Sequence, residues 1–246
     1  DTAMYIEDFD QAVMASTPGR IAGFIVEPIQ GYGGVSPIPE GYLREVFEHT
    51  REAGGLCIID EVQTAFGRRG SQYWGFEWLG ATPDIVVMGK GLGNGHPLSA
   101  VAVNRQIAES MSNAKFFNTY ASNPISCAAG RAVLRAVDVD GLMENSHAVG
   151  SRMKERLSGL MEKHDVIGDV RGRGLLLGME LVRDRAAKTP AVEEAGRLME
   201  FAKQKGVIIG KCGLYANVIK INPPMCIRME DVDLVVEVLD QGLARL

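Results

Sequence analysis

Two short segments hold the residues of this chain best equipped for chemistry: Ile58-Ile59-Asp60-Glu61-Val62-Gln63 and Val86-Val87-Met88-Gly89-Lys90-Gly91. Each opens as an apolar run rich in β-branched residues and closes on charged or polar ones. Short apolar runs bounded by turn residues read as buried strands of a parallel sheet. In open α/β sheets, ligands bind beyond the carboxyl ends of the strands. The pattern therefore predicts a carboxylate, Asp60, and an amine, Lys90, at the mouth of one cleft. Pyridoxal 5′-phosphate chemistry requires a lysine that can condense with an aldehyde. It also requires a carboxylate that keeps a pyridine nitrogen protonated, so that the ring acts as an electron sink. Gly91, Gly93 and Gly95 follow Lys90 and let the backbone approach a ligand closely. The run fits neither the Walker A pattern nor GxGxxG, which argues against a nucleotide loop.

The flanking residues extend the pattern. Asp60-Glu61-Val62-Gln63-Thr64-Ala65-Phe66-Gly67-Arg68-Arg69-Gly70, Pro83-Asp84-Ile85 and Lys90-Gly91-Leu92-Gly93-Asn94-Gly95-His96-Pro97-Leu98 together resemble the class III (subgroup II) aminotransferases. The resemblance continues in Glu27-Pro28-Ile29-Gln30-Gly31, Asn118-Thr119-Tyr120-Ala121-Ser122-Asn123-Pro124 and Arg171-Gly172-Arg173-Gly174. It is closest to the alanine–glyoxylate aminotransferase 2 branch and its phospho-lyase relatives. Such proteins are fold-type I enzymes dependent on pyridoxal phosphate. The resemblance implies an α/β fold in which residues 1–140 form part of a large, mostly parallel-sheet cofactor domain and residues 141–246 a smaller α+β domain.

What the resemblance implies for single residues is specific. Lys90 would form the Schiff base with the cofactor and Asp60 would hold its ring nitrogen. Val62 would pack on the ring face, Gln63 would hydrogen-bond the phenolic oxygen, and Glu61 would be structural. Thr119 would bind the cofactor phosphate of a neighbouring subunit, which implies a homodimer with shared sites. Glu27 would pair with a substrate-gating arginine. Lys220 stands where these aminotransferases commonly carry an arginine that grips the substrate carboxylate through a two-pronged contact, and lysine offers a point charge instead. The phospho-lyases look similar to this chain at that place. Ala65, and Ala121-Ser122, replace glycines common in the family. The implied reaction moves an amino group from an amine or amino acid to a 2-oxo acid such as pyruvate or glyoxylate. Two alternatives stand beside it: elimination of phosphate from a phosphorylated amine such as phosphoethanolamine, and a non-catalytic fragment. His96 is the histidine near the site and reads as a loop residue; Arg171 and Arg173 flank a tight bend and read as structural.

The elements that must position these residues are legible in outline. Apolar spacing predicts helices over 8–16, 41–53, 124–139, 142–163, 190–205 and 229–246. Strands are predicted over 21–26, 56–59, 85–88, 100–103, 207–209 and 218–221, with 31–39 a loop rich in Gly and Pro. The alternation is an α/β pattern. With 246 residues, 46% hydrophobic and 23% charged, the composition is that of a globular protein. A net charge of −5 leaves no electrostatic footprint for nucleic acid or an anionic membrane. No apolar run approaches the roughly 20 residues of a membrane span. Cys57, Cys127, Cys212 and Cys226 lack metal-type spacing and read as reduced thiols of an intracellular protein. The chain opens on Asp1 without an initiator Met, and the resemblance implies that the family's N-terminal half is lacking. The compartment, cytoplasmic or mitochondrial, is left open on that account.

Overall fold

The computed structural model describes residues 2–112 and 114–246. In chain order its helices are α1 (Thr2–Ser16), α2 (Tyr42–Glu52), α3 (Gly75–Trp78), α4 (Arg105–Met111), α5 (Pro124–Val139), α6 (Leu142–Gly159), α7 (Val192–Gln204) and α8 (Met229–Leu243). Its strands are β1 (Gly23–Val26), β2 (Ile29–Gln30), β3 (Ser36–Pro37), β4 (Leu56–Asp60), β5 (Ile85–Met88), β6 (Ala100–Val103), β7 (Ile167–Arg173), β8 (Leu176–Asp184), β9 (Thr189–Pro190), β10 (Gly210–Cys212) and β11 (Val218–Ile221). They fall into two compact units. One takes residues up to Pro28, Ile38–Phe66 and Trp74–Asp140, and the other takes Ile29–Pro37, Gly67–Tyr73 and Gly141–Leu246. The division is thus not a single cut along the chain, because two short segments before Asp140 belong to the second unit.

The first unit is built on a four-stranded sheet in the order β1-β4-β5-β6. β1, β4 and β5 run parallel and β6 closes the sheet antiparallel. Helix α2 buries Leu43, Val46, Phe47 and Thr50 at helical spacing. These meet Cys57, Ile59 and Leu79, with Phe24, Val26 and Val86 packed alongside, so one face of the sheet is dry. Residues alternate across a strand, and the register puts Ile25, Ile58, Ile85 and Val103 on the opposite face. Leu56, Asp60, Val87 and Val101 share that second face. Ile25 is 59% exposed there and Val101 61%, so the second face is apolar but open. Asp84 ties the start of β4, its Oδ2 accepting the Cys57 N–H at 2.8 Å and an Arg51 guanidinium N–H at 3.3 Å.

The second unit pairs β10-β11-β8-β7 antiparallel, with β9 beside β8. Helices α6, α7 and α8 supply Met153, Leu157, Ala195, Leu198, Val232, Val236 and Leu239 to one core with Leu177, Met179, Leu181 and Ile219 of the sheet. Each such buried Leu, Ile, Val or Met side chain contributes ~1.5–3 kcal/mol.

Three local expectations need correction, and one helix was not expected. The strand expected over 207–209 lies instead at Gly210–Cys212, where Lys211 pairs with Ile219. Val207 is used to end α7, its N–H bonding the Ala202 carbonyl at 2.9 Å. The 31–39 loop forms, with Ile29 and Gln30, a small hairpin, Ile29 pairing with Pro37. Helix α1 begins at Thr2 rather than near Asp8. Helix α4 was not foreseen, and Asn104 starts it by accepting the Ile107 N–H.

Candidate active site

Parallel strands β1 and β4 are in register Val26↔Ile59, and β4 and β5 in register Asp60↔Val87. Glu27 and Asp60 therefore stand side by side at the carboxyl ends of neighbouring strands, and Lys90 follows two residues past the end of β5. The sequence-predicted pair and Glu27 are brought to one edge of one sheet. The Asp60 carboxylate is half-buried and its Oδ1 accepts the Val62 N–H at 2.9 Å. That bond turns the chain sharply, and the Glu61 N–H continues the ladder to the Val87 carbonyl at 2.9 Å.

Glu61 points inward. It is fully buried, accepting the Thr64 hydroxyl and the Phe76 N–H at 2.9 Å. A buried carboxylate with two donors organises the turn beneath the site. Gln63 reaches back across the strand ends, its Nε2 donating to Glu27 Oε2 at 3.1 Å. Sequence reasoning assigned these two side chains to different partners, and the structure joins them to each other.

Lys90 is exposed and has φ +34°, a backbone state that a non-glycine residue adopts at a cost of order 1–3 kcal/mol. It opens a 3₁₀ turn through Leu92. Val62 and Phe66 lie against this turn: a Cβ at Gly89 would meet Val62 at 3.6 Å and one at Gly91 would meet Phe66 at 3.7 Å. The loop after Asp60 and the loop around Lys90 are thus packed together. Gly93 is needed for a different reason than ligand approach. A Cβ there would sit 1.9 Å from the His96 carbonyl oxygen. His96 itself is exposed and bonds the Ser126 hydroxyl at 3.0 Å, a loop contact.

Of the remaining predicted residues, Thr119 belongs to the first unit and Lys220 to the second. Thr119 is exposed in a segment whose bonds are local: Asn118 Oδ1 accepts the Tyr120 N–H and the Asn118 carbonyl accepts that of Ala121. Lys220 belongs to the second unit, on β11 opposite Gly178. It lines a groove of about 490 Å³ with Ile209, Asn222, Pro223, Pro224 and Ile227 among others. Arg171 is structural. It bonds Glu180, Asp169 and, at 2.9 Å through Nε, the Gly34 carbonyl. Burial lowers its pKa, but its hydrogen bonds to the two carboxylates more than offset this and raise it. Sequence reasoning passed over Arg68, whose guanidinium gathers three acceptors of the second unit. The signal was an arginine between Gly67 and Gly70, both at positive φ. Among the described residues no cluster suits a metal ion, and no helix is long and apolar enough to cross a membrane.

Comparison with known proteins identifies the family. The profile of the family Aminotransferase class-III matches residues 2–243. The alanine–glyoxylate aminotransferase 2 homolog 2, mitochondrial, of Arabidopsis thaliana is 46% identical over 246 residues, covering all of this chain and 51% of that protein. A phospholyase from Arthrobacter in complex with phosphoethanolamine superposes with a TM-score of 0.92 at 35% identity, covering 99% of this chain and 58% of that one. An amine transaminase from an uncultivated Pseudomonas species, solved in its PLP-bound form, gives 0.88 at 33% identity, covering 99% and 56%. The chain spans about half the length of the curated relatives it matches. With its fold α/β and its matched segments in order along nearly the whole chain, it belongs to the class-III aminotransferase family.

Proposed function

We propose that this chain carries the catalytic pair of a pyridoxal-phosphate-dependent aminotransferase, moving an amino group from an amine or amino acid to a 2-oxo acid of the pyruvate or glyoxylate type. The observation that carries the reading is the register Asp60↔Val87, which sets the Asp60 carboxylate and the Lys90 segment at adjacent carboxyl ends of parallel strands. The residues present fit the cofactor. They offer an amine, a carboxylate, a branched side chain at Val62 packed beside the lysine turn, and the Gln63 amide on the same edge. Bound there, pyridoxal phosphate supplies an electron sink for the substrate α-carbon. Lys90 would hold the cofactor through its amine and would be the group placed to carry a proton to and from the substrate. The Asp60 carboxylate would favour a protonated ring nitrogen, because an opposite charge nearby favours the charged form. Val62 would pack against the ring and exclude water. Gln63, oriented by its bond to Glu27, would offer its amide to the ring oxygen. By the family resemblance, Lys220 of the second unit would be the contact for an anionic substrate group, and Thr119 would serve the phosphate site of a second copy in a homodimer. The alanine–glyoxylate relative supports this donor and acceptor class, and its mitochondrial name favours mitochondrion over cytoplasm as the compartment.

A second reading is favoured by Lys220 and by the phosphoethanolamine-bound structural relative: elimination of phosphate from a phosphorylated amine by the same Lys90 and Asp60. One assay separates the two. The protein expressed from its complete natural reading frame is mixed with alanine and glyoxylate, and separately with phosphoethanolamine. Pyruvate without free phosphate supports transamination, and phosphate release supports the lyase. Neither product, with no near-ultraviolet to visible absorption on adding pyridoxal phosphate, overturns both and leaves a non-catalytic protein. Full activity in Lys90→Ala would end the reading, as would an active cofactor-loaded monomer in sedimentation for the shared site.

A further inference from the structure

We propose that Arg68 is a positioning residue for Lys220, holding the turn that follows β11 so that Lys220 presents its amine to an anionic substrate group. The proposal rests on the reading of Lys220 as that contact. Arg68 Nη1 donates to Asn222 Oδ1 at 2.8 Å, to the Pro223 carbonyl at 2.9 Å and, more weakly, to the Leu175 carbonyl at 3.3 Å. Its own carbonyl accepts the Leu175 N–H at 3.0 Å. Leu175 immediately precedes β8, and Asn222 immediately follows β11. These two strands are hydrogen-bonded neighbours, Ile221 opposite Leu177 and Lys220 opposite Gly178. One guanidinium therefore stitches the same ends of both strands together, across more than a hundred residues of sequence.

Arg68 meets the turn at its start. Pro223 and Pro224 carry no N–H, so their backbone cannot extend the ladder. Beyond them, Asn145 Nδ2 takes the Met225 and Ile227 carbonyls at 2.7 and 2.9 Å. The Pro224 carbonyl accepts the Ile227 N–H at 3.0 Å, and Arg68 supplies the bonds to Asn222 and Pro223. The turn also forms a wall: Asn222, Pro223 and Pro224 line the same groove as Lys220. A turn displaced from Arg68 would change the groove and the direction of the strand end that carries the lysine. Close approach of the 68–69 backbone is built in, since a Cβ at Gly174 would lie 2.6 Å from the Arg68 carbonyl oxygen and Gly174 sits at φ +52°. Arginine suits the task because its planar fork meets several fixed acceptors at once, whereas lysine is a single flexible point charge.

The test compares the unaltered chain with Arg68→Met, Arg68→Lys and Asn222→Ala. Two readouts are hydrogen exchange of the peptide spanning 219–228 and acetylation of the Lys220 amine, with and without phosphoethanolamine or alanine. Hydrogen bonds to a charged donor are each worth about 1.5–3 kcal/mol, so Arg68→Met should speed exchange at Ile227, whose N–H bonds the Pro224 carbonyl, about tenfold or more. The concentration of anion that protects Lys220 should rise in parallel. Arg68→Lys should recover part of both, and Asn222→Ala should move both in the same direction by less. Asn222→Ala serves as the deciding variant if Arg68→Met does not fold. If either anion protects Lys220 in the unaltered chain and the variants keep its exchange and protection values, the proposal falls while the role of Lys220 stands. If neither anion protects Lys220 in the unaltered chain, the reading of Lys220 falls and the proposal with it.

Discussion

Replacing Gly93 with alanine should damage the Lys90 loop, while the same change at Gly91 should not. At Gly93 an added Cβ would lie 1.9 Å from the His96 carbonyl oxygen and 3.2 Å from Leu98 Cβ. Carbon and oxygen rest no closer than about 3.3 Å, so the carbonyl must retreat by more than an ångström. That carbonyl belongs to backbone, and moving it pulls apart the 2.9 Å bond from the His96 N–H to the Gly93 carbonyl. Overpacking costs about 1–3 kcal/mol and the lost hydrogen bond about 1 more. The sum of about 2–4 kcal/mol corresponds to a fall of roughly 5–15 °C in Tm for a chain of this size. At Gly91 the nearest atom to an added Cβ is Phe66 Cδ2 at 3.7 Å, an ordinary contact, and the backbone is not left-handed. Circular dichroism melts of the two variants and the parent measure the difference. Absorption on adding pyridoxal phosphate should weaken with Gly93→Ala, because the Gly93 N–H bonds the Lys90 carbonyl at 3.2 Å. Gly93→Ala melting with the parent, or Gly91→Ala falling as far, would refute the argument.

Burial pushes the Cys57 thiol up to about 11, so about one part in a thousand is thiolate at pH ~8. Iodoacetamide should label exposed Cys127 and Cys226 and spare Cys57, as peptide mass spectrometry will show. A bond from His164 at 2.6 Å holds the Asp240 carboxyl below its usual range. The stabilisation it gives is present above the unfolded value of ~3.9 and is lost as pH falls through the lower folded value. Asp240→Asn should therefore destabilise the protein at neutral pH and flatten its acid unfolding curve. Asn123 Oδ1 caps α5 by accepting the Ile125 and Ser126 N–H groups, and Asn123→Ala should cost about 1 kcal/mol in a urea titration. Phe47→Ala, at a buried position under the sheet, should cost about 3–5 kcal/mol.

The parts of this fold that a sequence reveals are those where period and punctuation agree. β5 and β6 were read to the residue because four apolar residues stand between turn formers, and α5 because Asn123-Pro124 starts it. The segment 207–209 misled because Val207 and Ile209 are apolar for packing, while the paired residues Gly210, Lys211 and Cys212 look like a turn. The Asp60 and Lys90 strand ends were legible because charge follows an apolar run. The bond between Glu27 and Gln63 was not, because it joins strands 36 residues apart through side-chain geometry. Arg68 was hidden for the same reason. Its acceptors lie 107 to 155 residues further along, and nothing in its neighbours names them.

On the proposed reading, the open face of the first sheet would set how strongly Asp60 acts. Asp60 shares that face with Ile25, Leu56 and Val101, which water reaches. A pair of unit charges 4 Å apart interacts by about 1 kcal/mol in bulk water and about 4 kcal/mol at an effective dielectric constant of 20. As a counter-ion the same carboxylate would therefore be weak while the apolar face is wet and strong once it is covered. Its electrostatic grip would be a property of whatever shields the strands beside it, not of the aspartate alone.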